Sequence, residues 1–268
     1  MNDKQMSKER IKYLKKIKRE NFTVVFTQIA LITGALMIWE ALADFNLIDT
    51  FITSCPSRVA QTLMNLSNRG DLWVNITVTM AETFAGFALG LVIGFLCAVA
   101  LWWFPTLSRI LDPYLIILNA MPKIALGPII IIWAGAGYKS IIIMALLIST
   151  ISTVIGIYSG FRDVDEEKLT LMRTFGASKG QILFKVMIPA SYNSFLGVLK
   201  INVGLSWVGV IMGEFLVSKA GLGYLIMYGS QVFNLDLVTC GILLVSVCAA
   251  VMYYLVSAIE KAITARFE

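Results

Sequence analysis

Six long runs of apolar residues alternate with shorter polar segments along the chain. An α-helix needs roughly 20 mainly apolar residues to cross a bilayer, and each run is close to that length. The runs are residues 22–43, 80–104, 114–134, 141–158, 195–217 and 237–259. The pattern therefore predicts an all-α membrane protein with about six transmembrane helices.

The third run is interrupted by prolines. Pro122 and Pro128 each remove a backbone donor from it, and proline in a helix interior bends or breaks the helix. We therefore expect the segment 114–134 to be bent or broken. The second run contains Gly86, Gly90 and Gly94 on one helix face, a spacing that favours close contact with another helix in lipid.

Lysine and arginine are distributed unevenly between the two sides that six spans define. They are dense before the first run, between the fourth and fifth runs, and after the sixth. The other side has only Arg58, Arg69, Lys139 and Lys219. The positive-inside rule then predicts a multi-pass protein with both termini in the cytoplasm.

Composition narrows the class further. Hydrophobic residues form 58% of the chain and charged residues 15%, which a soluble domain with a polar surface rarely reaches. The chain has no histidine, and its four cysteines form no metal-binding pattern, so we expect no metal site and no disulfide framework. Although the net charge is +5, basic and aromatic residues do not interleave, so we expect no nucleic acid partner.

We divide the chain into a basic cytoplasmic segment, residues 1–21, and a transmembrane domain, residues 22–268. Within the domain, residues 46–79 form an external loop in which Val59, Leu63 and Leu66 recur with helical spacing behind a Ser-Pro start. This predicts an amphipathic helix at the membrane surface. The helix either only floats among the lipid headgroups, which we favour, or also helps to seat an external partner.

Residues 161–190 form the longest cytoplasmic segment between two runs. Asp165 can cap a helix over residues 166–175, and Gly176 follows its end. Ser178 and Gln181 have the spacing of a capping box that starts a second helix, and Pro189 is expected to end it. The chain therefore predicts two short, well-capped helices in this segment.

Each short helix has an apolar face. These faces contain Leu169, Met172 and Phe175 in the first helix, and Ile182 and Val186 in the second. Helices this short are marginal in water, so they must be held by the membrane bundle, by a partner, or by both. The alternative to a partner site is a solvated loop that folds back on its own bundle.

The segment resembles the EAA loop of permeases in binding-protein-dependent ABC importers. That pattern has Glu-Ala-Ala, three residues, Gly, nine residues, Ile, one residue and Leu-Pro. The matching positions are Gly176, Val186, Ile188 and Pro189. The positions that depart from Glu-Ala-Ala are Thr170, Leu171 and Met172. The departure removes the family's glutamate but leaves the glycine turn.

Three further stretches are similar to this family. "CPSRVAQTL" is similar to its external Pro-Ser helix start, "MPKIALGPIIIIWAGAG" to its third span, and "VSKAGLGYLI" to the loop after its fifth. Together they cover nearly the whole chain beyond the basic tail. They point to the nitrate, sulfonate and taurine branch, which also includes permeases for thiamine-precursor pyrimidines. The resemblance implies a type I ABC importer permease architecture.

The resemblance also implies partners. A cytoplasmic ABC ATPase dimer would bind ATP and Mg, and the chain itself has no GxxxxGK[ST] sequence, so we expect it to bind no cofactor and not to be an enzyme. An external binding protein would deliver a sulfonate, nitrate, taurine or a similar small organic molecule. A second copy of the chain would complete the pore in the bacterial cytoplasmic (inner) membrane. The implied ATPase-coupling residues are Thr170, Leu171, Met172, Arg173, Gly176, Ala177, Ser178, Gln181, Val186, Ile188 and Pro189.

Polar residues within the spans are candidates for the translocation pathway. The candidates are Lys123, Asn202, Ser206, Trp207, Met212 and Glu214. Lys123 either makes the pathway electropositive, or satisfies carbonyls freed by the prolines or pairs with an acid. Glu214 and Glu82 either pair with lysines or form part of a gate. The polar face of the fifth run either lines the path, as the resemblance implies, or packs against another helix.

Lys200 lies near the cytoplasmic end of the fifth run, where its long side chain can reach the interface, so a structural role is favoured.

Two other protein classes are alternatives to an importer subunit. A self-sufficient secondary transporter or channel would use Lys123 and Glu214 for ion coupling and need no ATPase. A membrane enzyme is disfavoured because the chain has no histidine and no tight cluster of carboxylates.

Overall fold

The structure is a computed structural model that describes residues 8–264, and every regular element in that range is helical. The chain divides into two compact units, residues 1–62 and 63–268. In the described part of the first unit, the long helix α1 (Lys8–Asp44) is followed by α2 (Thr50–Thr53) and by the start of α3 (Pro56–Arg69). Glu40 near the end of α1 accepts a 3.0 Å hydrogen bond from the backbone N–H of Ser57. The amphipathic helix predicted behind the Ser-Pro start is therefore present as α3.

The second unit contains the helices of a polytopic bundle. These are α4 (Asp71–Trp103), α5 (Pro105–Ala120), a 3₁₀ turn (Lys123–Leu126), α6 (Gly127–Ala134), α7 (Tyr138–Arg162), α8 (Glu166–Thr174), α9 (Lys179–Ile182), a π-helical turn (Leu183–Met187), α10 (Ile188–Ala190), α11 (Tyr192–Val217), α12 (Leu222–Gln231) and α13 (Leu235–Thr264). Helix α4 begins inside the loop predicted for residues 46–79, because the polar first turns of α4 extend beyond its apolar part.

The six predicted spans correspond to five long apolar helices and one broken pair. The five are Lys16–Asp44, Asp71–Trp103, Tyr138–Arg162, Tyr192–Val217 and Leu235–Ala262. The third run is the broken pair, in which Pro105–Ala120 and Lys123–Ala134 meet at an angle of 88°. Pro122 lies at this break, as expected from its missing N–H. The predicted start at residue 114 is wrong, because α5 begins at Pro105 and its polar first turns precede the apolar run.

Helices α4, α7 and α11 form the centre of the second unit, where glycines permit close contact. A Cβ added at Gly86 of α4 would lie 2.8 Å from the Cβ of Ala145 on α7. One added at Gly209 of α11 would lie 2.5 Å from the Cα of the same Ala145. Both distances are shorter than any carbon–carbon contact, so α7 is held between two glycine faces. The predicted packing role of the glycine face on α4 is confirmed.

The expectation that Pro189 ends the second cytoplasmic helix is wrong. The helical path continues from α9 through the π turn and α10, and α11 begins at Tyr192. Within the π turn, the N–H of Ile188 is bonded to the carbonyl of Leu183, five residues back. The wider turn precedes the proline and gives room for its ring where a regular α-helical turn would bring the ring against a carbonyl.

Candidate functional site

The segment between α7 and α11 is built from two closed capping motifs. Asp165 caps α8 by accepting a 2.9 Å hydrogen bond from the N–H of Glu167. At the other end, Gly176 has φ +73°, its N–H donates to the carbonyl of Arg173, and the N–H of Ala177 donates to the carbonyl of Met172. This pair of bonds is a Schellman motif, and it needs a left-handed residue at the glycine position. The predicted cap and helix end are confirmed, with α8 ending at Thr174.

The second motif begins two residues later. The N–H of Ser178 donates to Oε1 of Gln181 at 2.8 Å, and the N–H of Gln181 donates to Oγ of Ser178 at 3.3 Å. This is the reciprocal capping box that the sequence predicts. Because one motif follows the other directly, the turn between α8 and α9 has few backbone groups free to rearrange.

One side of this helical pair is fixed to the bundle. Leu169, Met172 and Ile182 pack on a cluster that includes Phe161 of α7 and Met187. Lys179 at the start of α9 donates a 2.9 Å hydrogen bond to the carbonyl of Trp103 and lies 5.9 Å from the centre of its ring. The alternative that the loop folds back on its own bundle is thus correct for this inner side.

The other side of the pair is uncovered. The side chain of Leu171 is 56% exposed and that of Phe175 is 77% exposed. Glu166, Glu167 and Thr170 join Leu171 around a shallow depression on this surface. Phe175, predicted on the same apolar face as Leu169 and Met172, is at the C-terminal cap of α8 and belongs to this exposed side. Arg173 is also exposed, whereas Met172 and Ala177 lie on the inner side.

Glu214 forms the centre of a second polar site, at the end of α11. It is 1% exposed, and its Oε1 accepts a 2.6 Å hydrogen bond from Oγ1 of Thr79 on α4. Its Oε2 accepts from the N–H groups of Gly223 and Tyr224 in the first turn of α12, at 2.5 and 3.4 Å. A buried carboxylate therefore occupies the position of a capping side chain for α12.

Two further side chains of α4 complete this cap. Oγ1 of Thr79 accepts a 2.7 Å bond from the N–H of Leu222, and Oδ1 of Asn75 accepts a 2.6 Å bond from the N–H of Gly221. Four successive N–H groups at the start of α12 thus donate to side chains from α4 and α11. The sequence interpretation missed this role, although one signal was present: no Ser, Thr, Asp or Asn stands directly before α12, so its first amides need distant acceptors.

Glu82 lies beside this cap. It is 2% exposed, and its Oε2 has no hydrogen-bond partner among the described residues. Of the two alternatives for Glu214, pairing with a lysine is not supported, since its hydrogen-bond partners in the described residues are Thr79 and backbone amides.

The two intramembrane lysines have separate local partners. Nζ of Lys123 donates to the backbone carbonyl of Asn119 at 3.2 Å. This carbonyl lies just before the break at Pro122, so the contact supports the alternative in which Lys123 satisfies groups freed by proline. Nζ of Lys200 on α11 lies 2.8 Å from Oε2 of Glu260 on α13, which supports the structural role favoured for Lys200.

The remaining pathway candidates lie on α11. Asn202, Ser206 and Trp207 are buried, and Met212 is half-buried. Trp207 packs on Phe87 of α4, whereas Asn202 borders a cavity of about 180 Å³ between α5, α7 and α11. The structure therefore does not bring the six candidates together: Glu214 belongs to the cap of α12, Lys123 to the break after α5, and Asn202 to the cavity.

The described helices form a bundle with a broken helix pair and a capped helical loop between two candidate membrane spans. The chain matches the family of binding-protein-dependent transport system inner membrane components over residues 90–267, and it belongs to that family. A probable ABC transporter permease of Haemophilus influenzae is 32% identical over 84% of this chain and 91% of its own length. The chain is thus a pore-forming permease subunit of an ABC importer, and not an enzyme.

The names of two other relatives specify different solutes. The taurine permease TauC of Escherichia coli is 23% identical, with 85% of each chain covered. The formylaminopyrimidine permease ThiX of Halalkalibacterium halodurans is 28% identical over 70% of this chain and 75% of the relative.

Solved structures support the fold. The MetNI methionine ABC transporter in an inward-facing conformation is similar with a TM-score of 0.58 and 21% identity, covering 75% of this chain and 97% of that one. An amino acid ABC transporter crystallised with histidines has a TM-score of 0.59 at 14% identity, covering 76% of this chain and 98% of the other. The predicted type I importer permease architecture is confirmed.

Proposed function

We propose that the chain couples ATP hydrolysis on a separate cytoplasmic ABC ATPase dimer to import of a small solute across the bacterial cytoplasmic membrane. An external solute-binding protein delivers the solute, and a second copy of the chain completes the pore. ATP and Mg bind to the ATPase, and this chain binds no cofactor. Both termini and the segment 161–190 face the cytoplasm. The solute is a sulfonate, nitrate, taurine or a similar small organic molecule, and the names of two relatives give taurine and a formylaminopyrimidine.

The observation that carries this proposal is the two-sided helical pair α8–α9. Its inner side is packed on the bundle through Leu169 and Ile182, and its outer side presents Leu171 and Phe175 to solvent. Large apolar side chains on a polar, capped segment are typical of a surface that a partner covers. We assign the outer side to the ATPase and propose the coupling residues of the loop as the docking element.

The same geometry explains how a displacement passes from the ATPase to the spans. Closure of two ATPase subunits moves the α8–α9 pair as a rigid body, since the Schellman motif and the capping box hold its turn. The movement then reaches α11 through the π turn, α10 and the single turn residue Ser191, and α7 through Phe161. A flexible loop would absorb the displacement instead of transmitting it.

Copurification and uptake test the proposal together. The tagged chain is solubilised gently from its native membrane, its partners are identified by mass spectrometry, and ATP-driven uptake is measured after reconstitution. We expect an ABC ATPase in equal amount, and its loss in the Leu171→Asp variant. The matched control is Tyr228→Asp, an exposed position on α12. Recovery of the chain alone, with solute uptake that needs no ATP, would contradict the proposal and favour a secondary transporter.

A further inference from the structure

The inner side of the α8–α9 pair does not close completely on the bundle. A pocket of about 380 Å³ remains between the pair, the end of α7 and the turn that joins α4 to α5. Trp102, Pro105 and Tyr158 form part of its wall. In this region α4 ends at Trp103, the broken pair begins at Pro105, and α7 ends at Arg162. The pocket therefore lies at the ends of three candidate membrane spans.

Four charged side chains border this pocket. They are Arg162 at the end of α7, Glu166 and Arg173 on α8, and Lys179 at the start of α9. Within residues 8–264, neither guanidinium group has an ion pair or a hydrogen bond. Three cations against one carboxylate leave two positive charges uncompensated, and like charges at one pocket repel each other. The charges therefore favour an anionic ligand.

The donors of these cations suit an anion with several oxygens. Nζ of Lys179 donates one hydrogen bond, to the carbonyl of Trp103 at 2.9 Å, and an ammonium group has two further donors. Each arginine presents a planar fork of N–H groups that matches the oxygens of a phosphate or carboxylate. A phosphate group accepts hydrogen bonds from all three side chains.

The apolar wall favours a lipid over a soluble anion. Trp102 and Tyr158 belong to the two residue types that are enriched at the headgroup level of membranes. Phe104, which stands between two residues of the wall, is 56% exposed. A soluble phosphate has no group that contacts such side chains, whereas a phospholipid carries a glycerol backbone and acyl chains beside its phosphate. Basic pockets between span ends on the cytoplasmic side bind anionic headgroups in this way.

We propose that this pocket binds the headgroup of an anionic phospholipid. Arg162, Arg173 and Lys179 contact the phosphate oxygens, and Trp102 and Tyr158 contact the glycerol backbone and the first acyl carbons. The lipid belongs to the cytoplasmic leaflet in the orientation proposed above, and this is the only point at which the inference rests on the proposed function. A bound headgroup joins the end of α7 to both helices of the α8–α9 pair and so holds the inner side of the pair on the bundle.

The test measures lipid binding to the purified full-length chain by native mass spectrometry in detergent. The probes are dioleoylphosphatidylglycerol, which is anionic, and dioleoylphosphatidylcholine, which has the same acyl chains and no net charge. Each lipid is titrated, and its affinity is taken from the fraction of the chain that retains it. Inorganic phosphate is added as a competitor at the concentration of the lipid, to distinguish a lipid site from a site for a soluble anion.

Two substitutions change the charge of the pocket in opposite directions. Arg162→Gln removes a cation, and its control is Lys185→Gln, at an exposed position that does not border the pocket. Glu166→Gln removes the carboxylate, and its control is Glu167→Gln, at the next position of α8, which borders only the depression on the outer side. Arg173 is left unchanged because it is one of the proposed coupling residues.

We expect the wild-type chain to bind phosphatidylglycerol at least about fivefold more tightly than phosphatidylcholine, and inorganic phosphate not to displace the lipid. The affinity for phosphatidylglycerol should fall about fivefold in Arg162→Gln, the factor expected for one cation at a membrane surface, and should rise in Glu166→Gln. Both control variants should stay within about twofold of the wild type, because charges further from the headgroup are screened.

Four results would each overturn the headgroup site. They are equal binding of the two lipids, equal changes in Arg162→Gln and Lys185→Gln, an affinity that does not rise in Glu166→Gln, and displacement of the lipid by inorganic phosphate. The last result would show that the pocket takes a soluble anion.

The lipid measurement uses the chain alone, so its result is distinct from that of the import function. Uptake is followed separately in proteoliposomes that contain the wild-type chain, its ATPase and its solute-binding protein, with and without ATP. ATP-dependent uptake together with equal binding of the two lipids would reject the headgroup site and retain the importer. Preferential binding of phosphatidylglycerol together with uptake that does not need ATP would retain the headgroup site and reject the proposed import function.

Discussion

Thr79 on α4 donates a hydrogen bond from Oγ1 to Oε1 of Glu214 on α11 at 2.6 Å, across 135 positions of sequence. The same Thr79 oxygen accepts from the N–H of Leu222, and the other oxygen of Glu214 accepts from Gly223. One residue pair therefore joins α4 and α11 to each other and holds the start of α12. This makes the position of α12 depend on side chains rather than on its own sequence.

The substitution Thr79→Val tests the Thr79–Glu214 contact. Valine has nearly the shape of threonine but leaves the carboxyl of Glu214 and the N–H of Leu222 each without one partner. We expect the free energy of unfolding to fall by about 1–3 kcal/mol. Hydrogen exchange at Leu222 should accelerate, because its N–H loses its acceptor. The control is Thr77→Val, at an exposed position where the hydroxyl bonds only to carbonyls of its own helix. Equal stability of the two variants would show that the Thr79–Glu214 contact contributes little to the free energy of unfolding.

The substitution Gly221→Ala should displace the carboxyl group of Glu214 from the start of α12. Gly221 has φ +119°, and a Cβ added there would overlap the carboxyl group of Glu214. We expect loss of at least about 2 kcal/mol from backbone strain and displacement of the carboxyl, together with increased proteolysis around residues 218–222. Gly204→Ala is the control, because a Cβ at Gly204 meets no atom within 4 Å. Wild-type stability and protease resistance in Gly221→Ala would contradict the capping role assigned to Glu214.

Gly176→Val tests the coupling loop. A Cβ at Gly176 meets no atom within 4 Å, so the effect of the substitution comes from the left-handed backbone alone. We expect the Schellman turn to open at a cost of about 1–2 kcal/mol, which alters the orientation of α9. Solute uptake should then fall while ATP hydrolysis by the associated ATPase continues.

The matched control for the loop is Gly180→Val. Gly180 also has open space around its Cβ position, but it lies in α9 and has no left-handed φ. Uptake in Gly180→Val should stay close to the wild-type rate. If Gly176→Val also supports full uptake coupled to ATP hydrolysis, rigid docking through the α8–α9 pair is ruled out.

The Lys200–Glu260 pair gives a prediction about structure rather than transport. Its charged atoms are 2.8 Å apart and connect α11 to α13. We expect Lys200→Met to lower the thermal unfolding midpoint, since it leaves the Glu260 carboxylate without its cation, and the double variant Lys200→Met with Glu260→Gln to recover part of the loss. Thermal unfolding of all four proteins measures the coupling. Losses that simply add in the double variant would show that the two residues do not stabilise each other.

The cytoplasmic loop shows how far local sequence information reaches. Asp165, Gly176, Ser178 and Gln181 were each predicted in the role that the structure gives them, because a cap depends on atoms two or three residues apart. The continuation of the helix through Pro189 was not predicted. It depends on the π turn before the proline, and nothing in the order of apolar residues distinguishes such a turn from a helix end.

The amino-acid sequence was enough to predict the membrane class, the six apolar segments, the break at Pro122 and the caps of α8 and α9. Each of these follows from chain length, hydropathy or contacts within one or two helical turns. The partners of Glu214 and the cavity at Asn202 depend instead on the tertiary structure. These depend on which faces of α4, α5, α7 and α11 meet. A buried polar group finds its partner wherever packing brings one within about 3 Å, and periodicity along one helix does not specify that partner on another.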